Sequence, residues 1–202
     1  KFYDGRTPYQ IRPPQGPLQR HLEIAARRFP KVSALRFMHK EINYKRLDRL
    51  ANRFAEGLLR QGLIRGERVL VLLPNIPQAV IAYFAILKAG GVVVFQDARA
   101  TPEQVSERIR EVQASLMIAL SFRFNDLRDT ALQAGVRKIV FTSYRDYMGA
   151  YDWLRFSLSH YYSDGHRMPY LRKLVADRKL FGFKELLALK LERPEPEPLV
   201  SD

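Results

Sequence analysis

The segment PNIPQAVIAYFAILKAGGVVV, residues 74–94, predicts a helix followed by a buried strand. Asn75 is a good helix cap, and Pro77 in the first turn costs no hydrogen bond because that N–H would have no partner in a helix. Gly90-Gly91 ends the helix and permits close backbone packing. We therefore predict a nearly uncharged helix from Asn75 to Ala89 and a strand over residues 92–95.

The flanking segments alternate between strand and helix. Residues 69–73 form an unbroken apolar run, which is typical of a strand covered on both faces of a sheet. Thr101-Pro102-Glu103-Gln104 combines a cap, a proline at the first helical position and the glutamine of a capping box. This alternation predicts an α/β fold, a layered α/β/α sheet that is mostly parallel. The predicted strands lie at 68–73, 92–95, 115–120 and 138–142, and the predicted helices at about 75–89, 101–113 and 126–134.

Residues 1–66 precede this α/β core. A proline-rich lead-in is followed by a short amphipathic helix over 18–29 and by a hairpin with arms at 34–38 and 41–43. Asn43 is predicted to cap the next helix, which Gly62 ends. Leu50 lies at the centre of its apolar stripe and is expected to be buried. The stripe consists of Leu47, Leu50, Ala51, Phe54 and Leu58.

Beyond residue 143 aromatic and basic residues become frequent. One predicted helix has a stripe made of Tyr147, Tyr151, Leu154, Leu158 and Tyr161, and a basic helix follows over about 170–181. Trp153 and Phe156 lie on the face opposite the stripe. The simpler interpretation is a helical hairpin packed on the sheet. The alternative is peripheral contact with an anionic membrane through Trp153, Phe156 and the basic helix 170–181. A second copy of the chain could cover the same patch instead, which would make the protein a homodimer.

Composition narrows the class of protein. With 202 residues, 47% of them hydrophobic, the chain can bury a sizeable core. It has no cysteine, which excludes disulfides and Cys-based zinc sites. The longest apolar run, bounded by Pro77 and broken by Lys88, is shorter than the roughly 20 residues of a membrane span. We expect a cytoplasmic protein, either soluble or peripherally membrane-bound.

The net charge of +13 raises the question of nucleic-acid binding. The excess is concentrated in residues 1–60, where 14 Lys and Arg stand against 5 acids. Several of these cations share one face of the predicted helix 43–62, as a solvated surface would place them: Arg46, Arg49, Arg53 and Arg60. We therefore expect no nucleic-acid partner.

Catalytic and ligand-binding motifs are missing from the sequence. None of the 11 glycines forms a dinucleotide-binding or P-loop pattern, and no serine lies in a nucleophile elbow. The four histidines lack metal-ligand spacing. Glu107 and Glu111 share a helix face with arginines, which does not prepare a carboxylate for acid–base chemistry. We predict no catalytic, cofactor-binding or metal-binding residue within this chain.

Two motifs in the right order resemble the adenylate-forming (AMP-binding) enzymes. Residues 74–94 resemble the second core motif of that superfamily, and Ile42-Asn43-Tyr44-Lys45-Arg46-Leu47, followed by Asn52 and Ala55, resembles the first. Arg27-Arg28-Phe29-Pro30 and the helical insertion are most similar to long-chain fatty acyl-CoA synthetases. The chain departs from the family at Asn43, where Ser or Thr is usual, and at Phe95-Gln96-Asp97-Ala98, where the family reads Pro-Leu/Ile-Asn-Pro.

The resemblance implies a ligase that converts a fatty acid and ATP into acyl-adenylate and pyrophosphate, after which CoA displaces AMP. It also implies that the phosphate loop, the magnesium-binding Glu, the ribose-binding Asp and the C-terminal-domain Lys all lie beyond residue 202. This chain alone is then expected to be inactive and to bind no cofactor, while the full-length enzyme uses ATP, Mg²⁺ and CoA and the remaining domains are its partners.

The domain organisation that follows is a partial N-terminal domain over residues 1–202. It divides into a lead-in with hairpin and helices (1–66), the α/β core (67–143), a helical aromatic and basic insertion (144–191) and an acidic, proline-rich connector (192–202). Two alternatives remain open: a ligase that activates aryl or amino acids, and a non-catalytic basic α/β binding module.

Overall fold

A computed structural model describes residues 16–148 and 179–188. The helices are α1 (Gln19–Arg28), α2 (Tyr44–Arg60), α3 (Pro77–Lys88), α4 (Pro102–Val112), α5 (Phe124–Gln133) and α6 (Phe183–Ala188). The strands are β1 (Ser33–Phe37), β2 (Lys40–Asn43), β3 (Arg68–Leu72), β4 (Val92–Phe95), β5 (Ala114–Leu120), β6 (Lys138–Thr142) and β7 (Leu180–Gly182). Short 3-10 turns lie at Ser121–Arg123 and Tyr144–Tyr147.

Two sheets organise these elements. β1 and β2 form an antiparallel hairpin, and the other five strands form a parallel sheet in the order β4-β3-β5-β6-β7. β3, the first strand of the sheet along the chain, is paired on both sides. The predicted α/β class with a mostly parallel sheet is confirmed.

Each face of the parallel sheet carries its own apolar core. Along β3, Val69 and Val71 point to one face and Leu70 and Leu72 to the other, and all four are buried. The first core is completed by α1, α2, α3 and α6, and the second by α4 and α5. Because both faces are covered, the central strands read as continuous apolar runs rather than alternating ones.

Helix starts were predicted with mixed success. The Asn43 side chain accepts a hydrogen bond from the Arg46 backbone N–H at 2.8 Å, and both bonds of the Thr101–Gln104 capping box are present. The prediction that Asn75 caps α3 is wrong. Ile76 occupies the cap position with no side-chain bond, and Pro77 is the first helical residue. Ile76 is buried, so packing of its side chain outweighs the polar cap that Asn75 could have supplied.

The double glycine after α3 packs as predicted. Gly90 has a φ of +77°, a left-handed conformation that glycine adopts without strain. A Cβ atom on Gly91 would meet Ile86 Cγ2 at 3.0 Å and the Glu67 carbonyl oxygen at 3.2 Å. The pair therefore lets the chain turn tightly from α3 into β4. The prediction that this strand is buried is wrong: Val92 and Phe95 are exposed, because β4 is the edge strand of the sheet.

The end of the predicted basic helix is wrong. Leu180–Gly182 is not helical but forms β7, a fifth strand parallel to β6. Leu180 is buried in the second core, and a three-residue strand is too short for its periodicity to show in the sequence. Most of the segment predicted as the basic helix lies outside the described residues, and so do Trp153 and Phe156. The membrane and homodimer hypotheses therefore stay predictions.

The predicted stripe of α2 packs into the first core with one exception. Leu47, Ala51, Phe54 and Leu58 are buried, whereas Leu50 is only half-buried at the margin of the core. The buried residues of α2 also include Gly57, because α6 docks against this part of the helix. The solvated-face prediction is confirmed for Arg46, Arg49, Arg53 and Arg60, all of which are exposed.

Gly57 provides a test of the α2–α6 contact. A Cβ atom at this position would lie 2.8 Å from Leu186 Cβ and 3.0 Å from the Leu186 carbonyl oxygen. Gly57→Ala should lower the free energy of unfolding by about 1–3 kcal/mol through overpacking, although helix propensity alone would raise it by about 1 kcal/mol. Urea unfolding checks the sign, with Arg53→Ala on the exposed face as a control expected to change stability by less than about 0.5 kcal/mol. A stabilised Gly57→Ala protein would contradict the docking of α6.

Within residues 16–148 and 179–188, no helix has the length and apolar character needed to cross a bilayer.

Candidate functional site

The carboxyl ends of the parallel strands meet at one edge of the sheet. In doubly wound sheets, ligands bind outside the carboxyl ends of the strands. The preferred place is the crevice where the strand order reverses, so that two consecutive strands lie on opposite sides of the same strand. Here β4 and β5 flank β3 on its two sides. The segments that follow β3, β4, β5 and β6 therefore form the candidate site.

An apolar cleft of about 540 Å³ opens at this edge. The hairpin contributes Leu35, Arg36 and Phe37, and the other walls come from the ends of β3 and β4 and the first turns of α3. These further residues are Leu73, Asn75, Ile76, Pro77, Ala79, Val80, Tyr83 and Phe95. The Tyr83 and Phe95 rings stack with their centroids 6.0 Å apart, and Phe95 remains 54% exposed. The cleft has the size and apolar character of small-molecule sites, which span about 300–1,000 Å³.

The segment after β4 is held by arginines where the family pattern would place prolines. Asp97 accepts a hydrogen bond from the Arg99 backbone N–H at 2.8 Å, and the Arg99 side chain lowers the pKa of the Asp97 carboxyl by hydrogen bonding to it. Arg123 donates to the carbonyl oxygens of Ala98 and Ala100 at 2.7 and 2.8 Å. This segment is therefore fixed to the end of β5 without the prolines.

Buried polar contacts tie α3 to the end of β6. Gln78 is fully buried and donates from Nε2 to the Ser143 carbonyl oxygen at 2.7 Å. Its Oε1 has no hydrogen-bond donor among the described residues. Asp146 accepts hydrogen bonds from the Thr142 hydroxyl at 2.9 Å and the Ser143 N–H at 3.0 Å. These hydrogen bonds hold the turn after β6 beside α3.

A second, smaller pocket of about 180 Å³ lies between the hairpin, the start of α2 and α6. Its charged lining residues are Lys40, Glu41, Arg46, Asp146 and Lys184. Tyr147 also lines it and is nine-tenths buried. Burial raises the pKa of the Tyr147 phenol, and the nearby Arg46 charge only partly opposes that effect. The hydroxyl therefore stays protonated in the physiological pH range.

The sequence profile of the AMP-binding enzyme family matches residues 22–197 of the chain. The chain belongs to this family. Over 146 residues, 72% of the chain, it is 34% identical to a long-chain-fatty-acid–CoA ligase from Bacillus subtilis. It spans only 26% of the length of that relative.

The fold is also that of solved acid ligases. Coronafacic acid ligase from Pectobacterium brasiliense superposes with a TM-score of 0.67 at 16% identity, covering 89% of this chain and 31% of that one. A benzoate CoA ligase from Burkholderia xenovorans superposes with a TM-score of 0.59 at 20% identity, covering 63% and 26%. At these identities the likeness concerns the fold alone.

The cofactors implied for an AMP-binding enzyme do not fit the described residues. Among residues 16–148 and 179–188, no group of three His, Cys, Asp or Glu side chains could hold a metal ion. Gly90-Gly91 follows a helix, so its N–H groups do not form a phosphate cradle at a helix N-terminus. We therefore assign no step of ATP, Mg²⁺ or CoA chemistry to these residues.

An ion cluster between α1, α2 and α3 was missed at the level of sequence. The Lys88 side chain is only 8% exposed, and its Nζ lies 2.7 Å from Glu23 Oε1 and 3.0 Å from Asp48 Oδ1. The contact to Asp48 is an ion pair whose geometry falls short of a directed hydrogen bond. A lone lysine in an otherwise apolar helix was the available signal, but its partners are 65 and 40 residues away along the chain.

Proposed function

We propose that this chain is the N-terminal part of a ligase that activates a long-chain fatty acid with ATP to an acyl-adenylate and then transfers the acyl group to CoA. The observation that carries the proposal is the match to the AMP-binding enzyme family over residues 22–197 together with 34% identity to a bacterial long-chain-fatty-acid–CoA ligase. Aryl-acid ligases share the fold at 20% and 22% identity, which does not favour an aryl substrate.

The proposed partners of the chain are the remaining domains of its own enzyme. The chain spans 26% of the length of the Bacillus ligase, and the described residues contain no group that could hold a metal ion. Adenylation concentrates negative charge on the triphosphate, and preorganised cations and N–H donors must stabilise it. In our proposal those groups come from outside these 202 residues.

ATP–pyrophosphate exchange tests the proposal. A protein that continues beyond this chain should catalyse exchange that depends on a long-chain fatty acid, with less activity on benzoate or amino acids. The 202-residue chain alone should show exchange no higher than a protein-free blank with any of these acids. Exchange by the chain alone would contradict the assignment of the triphosphate site. A preference for benzoate in the longer protein would contradict the assignment of the acid.

A further inference from the structure

The end of α1 and the loop after it combine exposed apolar side chains with exposed cations. Ile24 is 40% exposed, Phe29 55% and Val32 53%. Residues 20–32 contain four Lys or Arg and one acid, and all four cations are exposed. With an exposed lysine of α2, six residues define what we call the α1 surface: Ile24, Arg27, Phe29, Lys31, Val32 and Lys45.

Backbone and groove contacts place these residues on one side of the molecule. The Lys45 N–H donates to the Pro30 carbonyl oxygen at 3.3 Å, which holds the start of α2 beside the loop 29–32. Arg27 and Lys45 line the same open groove of about 630 Å³. Ile24 lies three positions before Arg27 and is therefore its neighbour on the surface of α1.

The cations of the α1 surface are not neutralised. Arg27, Lys31 and Lys45 form no ion pair with any of the described residues. The two carboxylates that line the groove, Glu23 and Asp48, both pair with Lys88 instead. The α1 surface therefore carries a net positive charge, which is complementary to a polyanion.

The exposed apolar side chains favour a lipid surface over a nucleic acid. Nucleic acids take up aromatic side chains by stacking them on bases, and the aliphatic side chains of Ile24 and Val32 offer no such platform. The boundary between headgroups and acyl chains takes up aliphatic and aromatic side chains alike. Lysine and arginine beside them can lay their stems along the apolar layer and keep their charged groups in water.

We propose that the α1 surface docks reversibly on an anionic bilayer. Its three apolar side chains enter the interfacial layer, and its three cations contact anionic headgroups. This inference does not rest on the proposed function, because the chemistry of the partner follows from the exposed charge and the exposed apolar side chains. It also concerns residues other than Trp153 and Phe156.

Sedimentation with lipid vesicles tests the docking. The 202-residue chain is mixed with phosphatidylcholine vesicles that contain or lack phosphatidylglycerol. Binding should require phosphatidylglycerol and should weaken at least tenfold, to within about a factor of two, when salt is raised from about 0.05 to about 0.5 M, because salt screens the headgroup charge. Equal binding to the two kinds of vesicle, or binding to neither, would overturn the proposal.

A double substitution locates the cations. Lys31→Gln with Lys45→Gln should weaken binding to the anionic vesicles about 25-fold, since each cation contributes about fivefold. The matched control is Arg65→Gln with Arg110→Gln, which removes the same charge from two exposed arginines outside the α1 surface. The control should bind within about twofold of the unmodified chain. Equal weakening by the two pairs would show that only net charge matters and would overturn the proposal.

A second double substitution tests the apolar contact. Phe29→Ala with Val32→Ala should weaken binding to the anionic vesicles about tenfold while all the cations remain. The thermal transition of this variant shows whether it folds. If it does not, Ile24→Gln replaces it, since Ile24 lies on the outside of α1, and a smaller loss of about threefold is expected. Unchanged binding of the folded variant would contradict insertion of these side chains.

Two further outcomes would assign the binding elsewhere and overturn the proposal. In the first, Trp153→Ala abolishes vesicle binding whereas Lys31→Gln with Lys45→Gln leaves it unchanged, so that the aromatic and basic segment carries the contact. In the second, a single-stranded oligonucleotide binds more tightly than the anionic vesicles and loses affinity with Lys31→Gln and Lys45→Gln, which would make the α1 surface a nucleic-acid site.

Discussion

Lys88→Met is expected to lower the free energy of unfolding by about 3 kcal/mol, a large share of a typical total of about 5–15 kcal/mol. The Lys88 side chain is 8% exposed and lies 2.7 Å from Glu23 and 3.0 Å from Asp48. Methionine would keep the volume but leave two carboxylates beside each other without a cation. We place the loss at the lower end of the range for buried pairs because Glu23, 39% exposed, can turn toward water.

Urea unfolding measures this loss, and two comparisons isolate its cause. Arg36→Met breaks another pair of the same 2.7 Å length, but one whose side chains are 74% and 51% exposed, so it should cost less than about 1 kcal/mol. Adding Glu23→Gln and Asp48→Asn to Lys88→Met should recover much of the stability, because the uncompensated charge is then removed. Equal losses for Lys88→Met and Arg36→Met would show that burial of the cluster does not matter.

Phe54→Ala is expected to lower the free energy of unfolding by about 4–5 kcal/mol and so to lower the thermal midpoint of the protein. Phe54 is fully buried in the first core, and its ring stacks on Phe183 with centroids 4.1 Å apart. The substitution removes apolar burial, leaves a cavity and breaks the aromatic contact between α2 and α6. The midpoint of urea unfolding should fall accordingly.

Leu59→Ala is the matched control for Phe54→Ala. Leu59 is a large apolar residue of the same helix that is 45% exposed, so its truncation should change the free energy of unfolding by less than about 0.5 kcal/mol. A double-mutant cycle with Phe183→Ala then measures the α2–α6 coupling, which should be about 0.5–3 kcal/mol. A loss below about 1 kcal/mol for Phe54→Ala would be incompatible with α6 packed on α2 as described.

Features that depend on near neighbours in the chain were predictable. The Thr101–Gln104 capping box and the Asn43 cap each join residues three positions apart, so both are visible as sequence patterns. The cap of α3 was misplaced because two local signals competed, Asn75 as a polar cap and Pro77 as a first helical residue. The burial of Ile76, a tertiary effect, favoured the later start. Leu50 was assigned to the core from periodicity alone, but a stripe does not reveal where the packed surface ends.

The candidate site depended on contacts between distant residues. The charged pocket brings the hairpin and α2 together with residues about 100 and 140 positions further along the chain, at Tyr147 and Lys184. Lys88 meets Glu23 across 65 positions, and Leu180 joins the sheet beside Ile139. No periodicity or spacing relates such pairs, because their proximity results from the strand order and from how the helices pack on each face.

By itself, the sequence determined the α/β class, most helix and strand positions and the resemblance to adenylate-forming enzymes, since all of these rest on hydrophobic periodicity, caps and two short motifs. Only the tertiary structure decided that β3 lies between β4 and β5, that β7 extends the sheet, and that Lys40, Arg46 and Tyr147 line one pocket. The physical reason is that local patterns specify each element and the face it buries, whereas the pairing of elements is selected by the packing of the whole core.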